Sequence, residues 1–318
     1  MKQKNKQALD FTEGNIGGPM VRFALPVLLA MFLQVTYGAV DVLVVGLFGT
    51  PADVSAVSTG SQILQTLTLL IVGLSVGTTV LLGRKLGEKR FRAAGKVVGA
   101  SIFLFALLGL VMTAGVCWGA EALSSLMHAP AEAFDLTARY VRICGAGLAF
   151  IIAYNVLGGV FRGMGNSKVP MYTAAVACAF NVVGDFVFVA WLHMGVTGAA
   201  LATVLAQVFS VVLSWFFIRS AGVSFELRRS YICFNFRMIK EIILVGAPVA
   251  LQDLLVSISF LVVLAIVNGM GVIASAGVGV AEKLCGFIML VPSAYMQYMA
   301  VFTAQNMGAR KPQRAPCA

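Results

Sequence analysis

The sequence predicts an all-α polytopic membrane protein: one complete six-helix lobe and the first two helices of a second, parallel-repeat lobe, about eight transmembrane helices of an expected twelve. Three observations carry that prediction, namely an excess of apolar residues, basic residues confined to alternate loops, and an internal repeat.

The chain has 318 residues, of which 59% are hydrophobic and 11% charged. Its mean hydropathy is +0.92. A soluble core cannot hide that many apolar side chains, so the solvent for much of the surface must be lipid. Apolar runs long enough to cross a hydrocarbon core of about 30 Å as helices recur along the chain. They lie near 20–49, 54–82, 94–120, 134–161, 169–192, 196–218, 238–268 and 273–305. The longest runs have length to spare for tilt or kink.

A net charge of +10 raises the possibility of nucleic acid, but the placement of the charges excludes it. Lys2, Lys4, Lys6 and Arg22 precede the first run, and Arg84, Lys85, Lys89, Arg90, Arg92 and Lys96 follow the second. Arg162 and Lys168 separate the fourth and fifth, Arg219, Arg228, Arg229, Arg237 and Lys240 the sixth and seventh, and Arg310, Lys311 and Arg314 follow the eighth. These are 20 of the 23 basic residues, and all fall on one side. The positive-inside rule makes that side cytoplasmic, which predicts a multi-pass protein of the cytoplasmic (inner) membrane with both termini inside. Arg139 and Arg142, near the outer end of the fourth run, can snorkel to the interface. Glu282 and Lys283 are adjacent within the eighth run and point about 100° apart, so they cannot pair along the helix.

Several functions are excluded. The six cysteines have no C-x-x-C spacing and read as small buried residues. The first apolar run is too long for a cleaved signal. Stretches such as GGVFRGMGNSKVP lack the strand context of a phosphate loop, and the two histidines, His128 and His193, lie far apart in outer loops. No hydrolytic constellation is present, so an enzyme is not expected. Small residues four apart, Gly73/Gly77 and Gly115/Gly119, predict close helix approaches.

The repeat pairs Pro26 in ALPVLLA with Pro248 in GAPVALQ, and Gly87 with Gly308, at an offset of about 222 residues. Each unit holds six spans, starts and ends on the cytoplasmic side, and is therefore parallel to the other, an architecture with its substrate site between the halves. The expected organisation is an N-terminal six-helix lobe over 1–222, a cytoplasmic linker over 223–237 and a partial second lobe over 238–318. By the repeat, the second unit is expected to hold four further spans.

An acidic residue inside a span costs about 2.5–3.5 kcal/mol on insertion scales and needs a reason. Asp41 and Asp185 lie at one depth, Asn181 is one turn from Asp185 on the same face, and Thr203 is level with them. Gln34, Tyr37 and Asp41 form an i, i+3, i+7 stripe, and Gln207 continues Thr203 by a turn. Oxygen ligands at one depth can hold a proton or a bare cation such as Na⁺, which predicts a coupling-ion site; the plainer reading is polar links between helices. Asp253, near Pro248, is a further candidate for the cavity.

These residues resemble the multidrug and toxic compound extrusion family, within the larger group of multidrug, oligosaccharidyl-lipid and polysaccharide exporters. The likeness rests on Pro26 and Asp41, GRKLGEKRFRAAGK, GGVFRGMGNSKVPMY, NVVGD, GVTGAALATVLAQ and GAPVALQ. Asp41 with Asn181-x-x-x-Asp185 is similar to the branch named for a DNA-damage-inducible protein. The resemblance implies twelve helices in two lobes, a polar site at Asp41, Asn181, Asp185 and Thr203, and export of cationic or aromatic drugs by a monomer in antiport with H⁺ or Na⁺, with no other cofactor. Pro26 and Pro248 would be hinges, and Gln34, Tyr37, Gln207 and Asp253 would line the substrate cavity. A lipid-linked sugar flippase of the same superfamily, or an inactive fragment, are the alternatives.

Overall fold

The computed structural model describes residues 9–221, 225–226, 228–268 and 272–317. Lys2, Lys4 and Lys6 and the side chains of Glu282, Lys283 and Cys317 lie outside the described residues. The described residues form helices and no strands: α1 (Gly17–Phe48), α2 (Pro51–Gly87), α3 (Phe91–Leu126), α4 (Phe134–Ala146), α5 (Leu148–Gly163), α6 (Lys168–Asp185), α7 (Gly195–Ala221), α8 (Phe236–Asn268) and α9 (Val272–Gly308). Seven of these are long and apolar enough to cross a membrane, and α4 with α5 makes the eighth span as a broken pair. The outward surface suits lipid: Trp118 is 88% exposed and Trp191 77%.

The fourth span differs from the single helix expected over 134–161. It bends by 52° between α4 and α5. The break falls at Gly147, where a Cβ would sit 2.6 Å from both methyl carbons of Val204 on α7. The chain there changes pitch, with Phe150 N–H donating to Gly147 O over three residues at 2.9 Å. Glycine lets α7 press into the break, and the pair wraps around it.

The turn between α1 and α2 is written in four residues. Thr50 accepts from Asp53 N–H at 3.2 Å while Asp53 accepts from Thr50 N–H at 2.8 Å, a reciprocal cap with Pro51 just inside the helix.

α1 lies between α6 and α9, α6 pairs with α7, and α2 packs on α3, α4 and α5 on one side and on α8 and α9 on the other. Exchanging α1 with α8 and α2 with α9 maps the α1–α9 contact onto the α8–α2 contact, as two units related by a two-fold axis require. The repeat glycines mark that axis. A Cβ on Gly87 would overlap the Gln305 carbonyl of α9, and one on Gly308 would overlap the Arg84 carbonyl of α2. Lys89 and Arg310, each two residues further on, both take left-handed φ, 56° and 58°. The same helix-ending turn is therefore built twice.

Gly73 and Gly77 do allow a close approach: their Cβ positions would overlap Ala250 and the Ile242 carbonyl of α8. Gly115 and Gly119 do not, since nothing lies within 4 Å of a Cβ at either. The spacing was the same, and only the presence of a facing helix differs. A third glycine pair has a use the sequence did not reveal. Gly95 and Gly99 on α3 leave room for the carbonyls of Glu226 and Tyr231, so the segment entering α8 is seated on α3. Glu226 bridges Arg92 at 3.6 Å and Arg228 at 3.5 Å there.

Candidate functional site

Three neighbouring helices, α1, α6 and α7, bring four of the expected residues together. Thr203 Oγ1 donates to Asp41 Oδ2 at 3.3 Å, and Asn181 Nδ2 donates to Thr203 Oγ1 at 3.4 Å. Asp185 and Asn181 are close neighbours of the Asp41 carboxyl. Asp41, Asn181 and Asp185 are 4%, 1% and 0% exposed. Helical geometry explains the convergence, because Asn181 and Asp185 stack on one face of α6 while Asp41 and Thr203 approach from either side.

The hydrogen-bond inventory of this cluster does not close. Asp41 Oδ1, Asn181 Oδ1, and both Asp185 oxygens are buried with no protein donor. Buried polar atoms are paired in the great majority of structures, so four such oxygens in one place are informative. Two carboxylates in contact can only repel one another unless a proton or a cation lies between them. The donor set is all oxygen, which suits a hard cation or a proton and not a soft metal. Among the described residues no group of three or more His, Cys, Asp and Glu has the arrangement of a transition-metal site.

Below the cluster, toward the basic end, α1 continues with two more polar contacts. Tyr37 reaches Gln207 of α7, and Gln34 Nε2 donates to the Tyr154 hydroxyl of α5 at 3.1 Å. Gln207 Oε1 is a further buried oxygen without a donor. Asp253 stands apart: α8 packs on α2, α3 and α9 and does not touch α1, α6 or α7. Pro26 is buried within α1, whereas Pro248 is exposed within α8.

The sequence reading missed several participants. Tyr154 sat unremarked in an apolar run, although a hydroxyl there needs a partner. Tyr140 is 2% exposed, lies 3.3 Å from Ser61 Oγ, and occupies the space left by Gly60. A π-helical turn, Phe186–Trp191, follows directly on Asp185. Such turns are rare and gather at functional sites, and nothing in FVFVAW announces one. Arg142 has a partner as well, Glu121 on α3 at 2.9 Å, while Arg139 is exposed.

A multi-pass helical protein with buried polar residues gathered between three of its spans has the make-up of a membrane transporter. Comparison with known proteins specifies the class. The MatE family profile matches residues 26–187 and 248–318, blocks that open on the two repeat prolines. The chain belongs to the MatE family of multidrug and toxic compound extrusion transporters, which are not enzymes. It is 28% identical over 310 residues to the probable multidrug resistance protein YpnP of Bacillus subtilis, covering 97% of this chain and 69% of that one. It is 28% identical to YoeA of the same organism over 92% of this chain and 65% of that protein. A MATE transporter crystallised in a bent conformation superposes with a TM-score of 0.91 at 25% identity, over 100% of this chain and 70% of that one. A transporter of the wider superfamily from Pyrococcus furiosus superposes with a TM-score of 0.88 at 25% identity, over 99% of this chain and 70% of that chain. The chain thus spans about two thirds of the length of these relatives.

Proposed function

We propose that the complete protein exports cationic or amphiphilic drugs across the cytoplasmic membrane by alternating access, driven by inward movement of H⁺ or Na⁺. The observation that carries this reading is the set of buried oxygens on Asp41, Asn181 and Asp185 that no protein donor reaches. Thr203 completes the ion site, and Gln34, Tyr37 and Gln207 line the cavity beside it, while Asp253, on a helix that touches none of α1, α6 and α7, belongs to the second lobe's side of the cavity and not to the ion site. The relatives named as multidrug resistance and export proteins support drugs as the substrate class.

Loading the site with a cation or proton cancels the repulsion between the two carboxylates, so α1 and α6 pack closely. Emptying it restores the repulsion and lets α1 move. Pro26 supplies a hinge, since its nitrogen cannot donate to the Arg22 carbonyl one turn earlier. Lobes over 1–222 and 238–318, joined by the linker 223–237, move against each other with both termini cytoplasmic, and the protein acts as a monomer. The pairing of α1 with α9 and of α2 with α8 supports two lobes meeting along those helices.

The test is gradient-driven ethidium efflux in inverted or whole-cell preparations. Asp185→Asn should abolish the dependence on the gradient while the protein still reaches the membrane. Unchanged efflux would sink the ion-site assignment.

A further inference from the structure

The basic end of the molecule is closed by a segment for which the transport cycle has so far given no role. Residues 9–16 precede α1 in irregular structure. Phe11, 1% exposed, fills a box made by Phe23 of α1 and Tyr298 and Phe302 of α9, with ring centroids 5.6, 5.5 and 6.2 Å away. Its carbonyl accepts from Asn306 Nδ2 at 3.1 Å. Lys311 Nζ donates to Thr12 O and Arg314 Nη2 to Gly14 O, each at 2.9 Å.

The other edge of the segment is fastened to the first unit. Leu9 N–H donates to Gly165 O at 3.1 Å in the turn between α5 and α6. Gly165 has a φ of +79°, and a Cβ on it would crowd Leu9 O at 2.5 Å. Asp10 caps the following turn by accepting from Thr12 N–H at 2.9 Å and Thr12 O–H at 2.7 Å. Burial works against ionising Asp10, but the two bonds from Thr12 and the charges of Lys89, after α2, and Lys311, after α9, outweigh it and hold its carboxyl below the usual range. One short segment therefore joins the α5 end of the first unit to the α9 end of the second.

We infer that residues 9–16 are a latch across the cytoplasmic end, with Phe11 as its plug, holding α9 to the α5–α6 turn while the inner side is closed and withdrawing when it opens. The withdrawal rests on the alternating-access reading; the brace itself does not. Several of the segment's backbone carbonyls are satisfied by side chains and not by a helix, so it can detach without melting one. Parting α1 from α9 would remove one wall of the Phe11 box, so the plug cannot keep its site once those helices separate.

The test is hydrogen exchange on the full chain in lipid nanodiscs, paired with efflux. Phe11→Ala should speed exchange in 163–168 and 302–311 by about tenfold or more, with 38–45 unaffected. Lys311→Gln with Arg314→Gln, which leaves the aromatic box intact, should speed the same two peptides less, and decides the matter if Phe11→Ala unfolds. Acceleration confined to 9–16 in both variants would overturn the latch. Placing the photoreactive p-benzoylphenylalanine at position 11 and irradiating should fix it to α9 and stop efflux. Efflux at the unirradiated rate in the cross-linked protein would overturn withdrawal. A wild-type chain that exchanges as expected but moves no dye would sink the transport reading and the withdrawal with it, leaving the brace standing.

Discussion

Two polar regions of this molecule are built from similar side chains and treat them in opposite ways. At the basic end, Asn306, Gln305, Lys311 and Arg314 each donate to a backbone carbonyl, and these bonds tie distant segments together. In the oxygen cluster, Asn181 donates to Thr203 and Thr203 to Asp41, which leaves Asp185 without a donor. Polar groups that find partners within the fold hold it together, and those that do not keep their acceptors open to a proton, a cation or water.

The contrast is sharpest at Asp185. Replacing it with Asn supplies the missing N–H donor, so gradient-driven efflux should fall by about 100-fold, the upper range for coupling between sites. The same change should raise the midpoint of thermal unfolding, by about 1–2 kcal/mol of stability, because a buried carboxylate has gone and a hydrogen bond to Asp41 becomes available. Measuring both on one preparation is decisive: loss of efflux together with loss of stability would mean that the carboxylates are structural.

The basic end should respond in stability first. Gly308→Val drives side-chain atoms onto the Arg84 carbonyl and should cost about 3 kcal/mol in the unfolding midpoint, whereas Gly115→Val, which faces open space, should cost little. Equal effects would show that the α2–α9 approach is not tight. Asn306→Ala removes the donor to the Phe11 and Phe302 carbonyls and should cost about 1–2 kcal/mol, read in the same assay. The smallest effect belongs to Arg142→Gln. Its pairing with Glu121 is more than half exposed on both sides, so the loss should stay below about 1 kcal/mol and shrink further in high salt.

What could be read from the sequence follows from the range of the forces involved. Span positions and the convergence of Asp41, Asn181, Asp185 and Thr203 were legible, because lipid imposes a length on each helix and shared depth plus helical phase places side chains on common ground. The 52° break at Gly147 was not, since it depends on Val204 from a helix more than fifty residues later pressing into it. Gly73/Gly77 and Gly115/Gly119 show the same limit within a single motif: spacing creates a groove, and only the fold says whether a helix fills it. The latch was invisible for a related reason, as Phe11 sits among charged and small residues and two walls of its box, Tyr298 and Phe302, come from the far end of the chain.

The π-helical turn after Asp185 bears on how this chain should be compared with others. A π turn carries an additional residue in each circuit, so across Phe186–Trp191 the side chains fall out of step with those of an unbroken α-helix by about 100°. A relative whose corresponding helix runs straight through would align with this chain only if a one-residue gap is opened between Asp185 and the turn at His193. Without that gap, residues on the outer side of the cluster would be matched to positions that face elsewhere, and inferences carried from one protein to the other would be correct up to Asp185 and rotated beyond it.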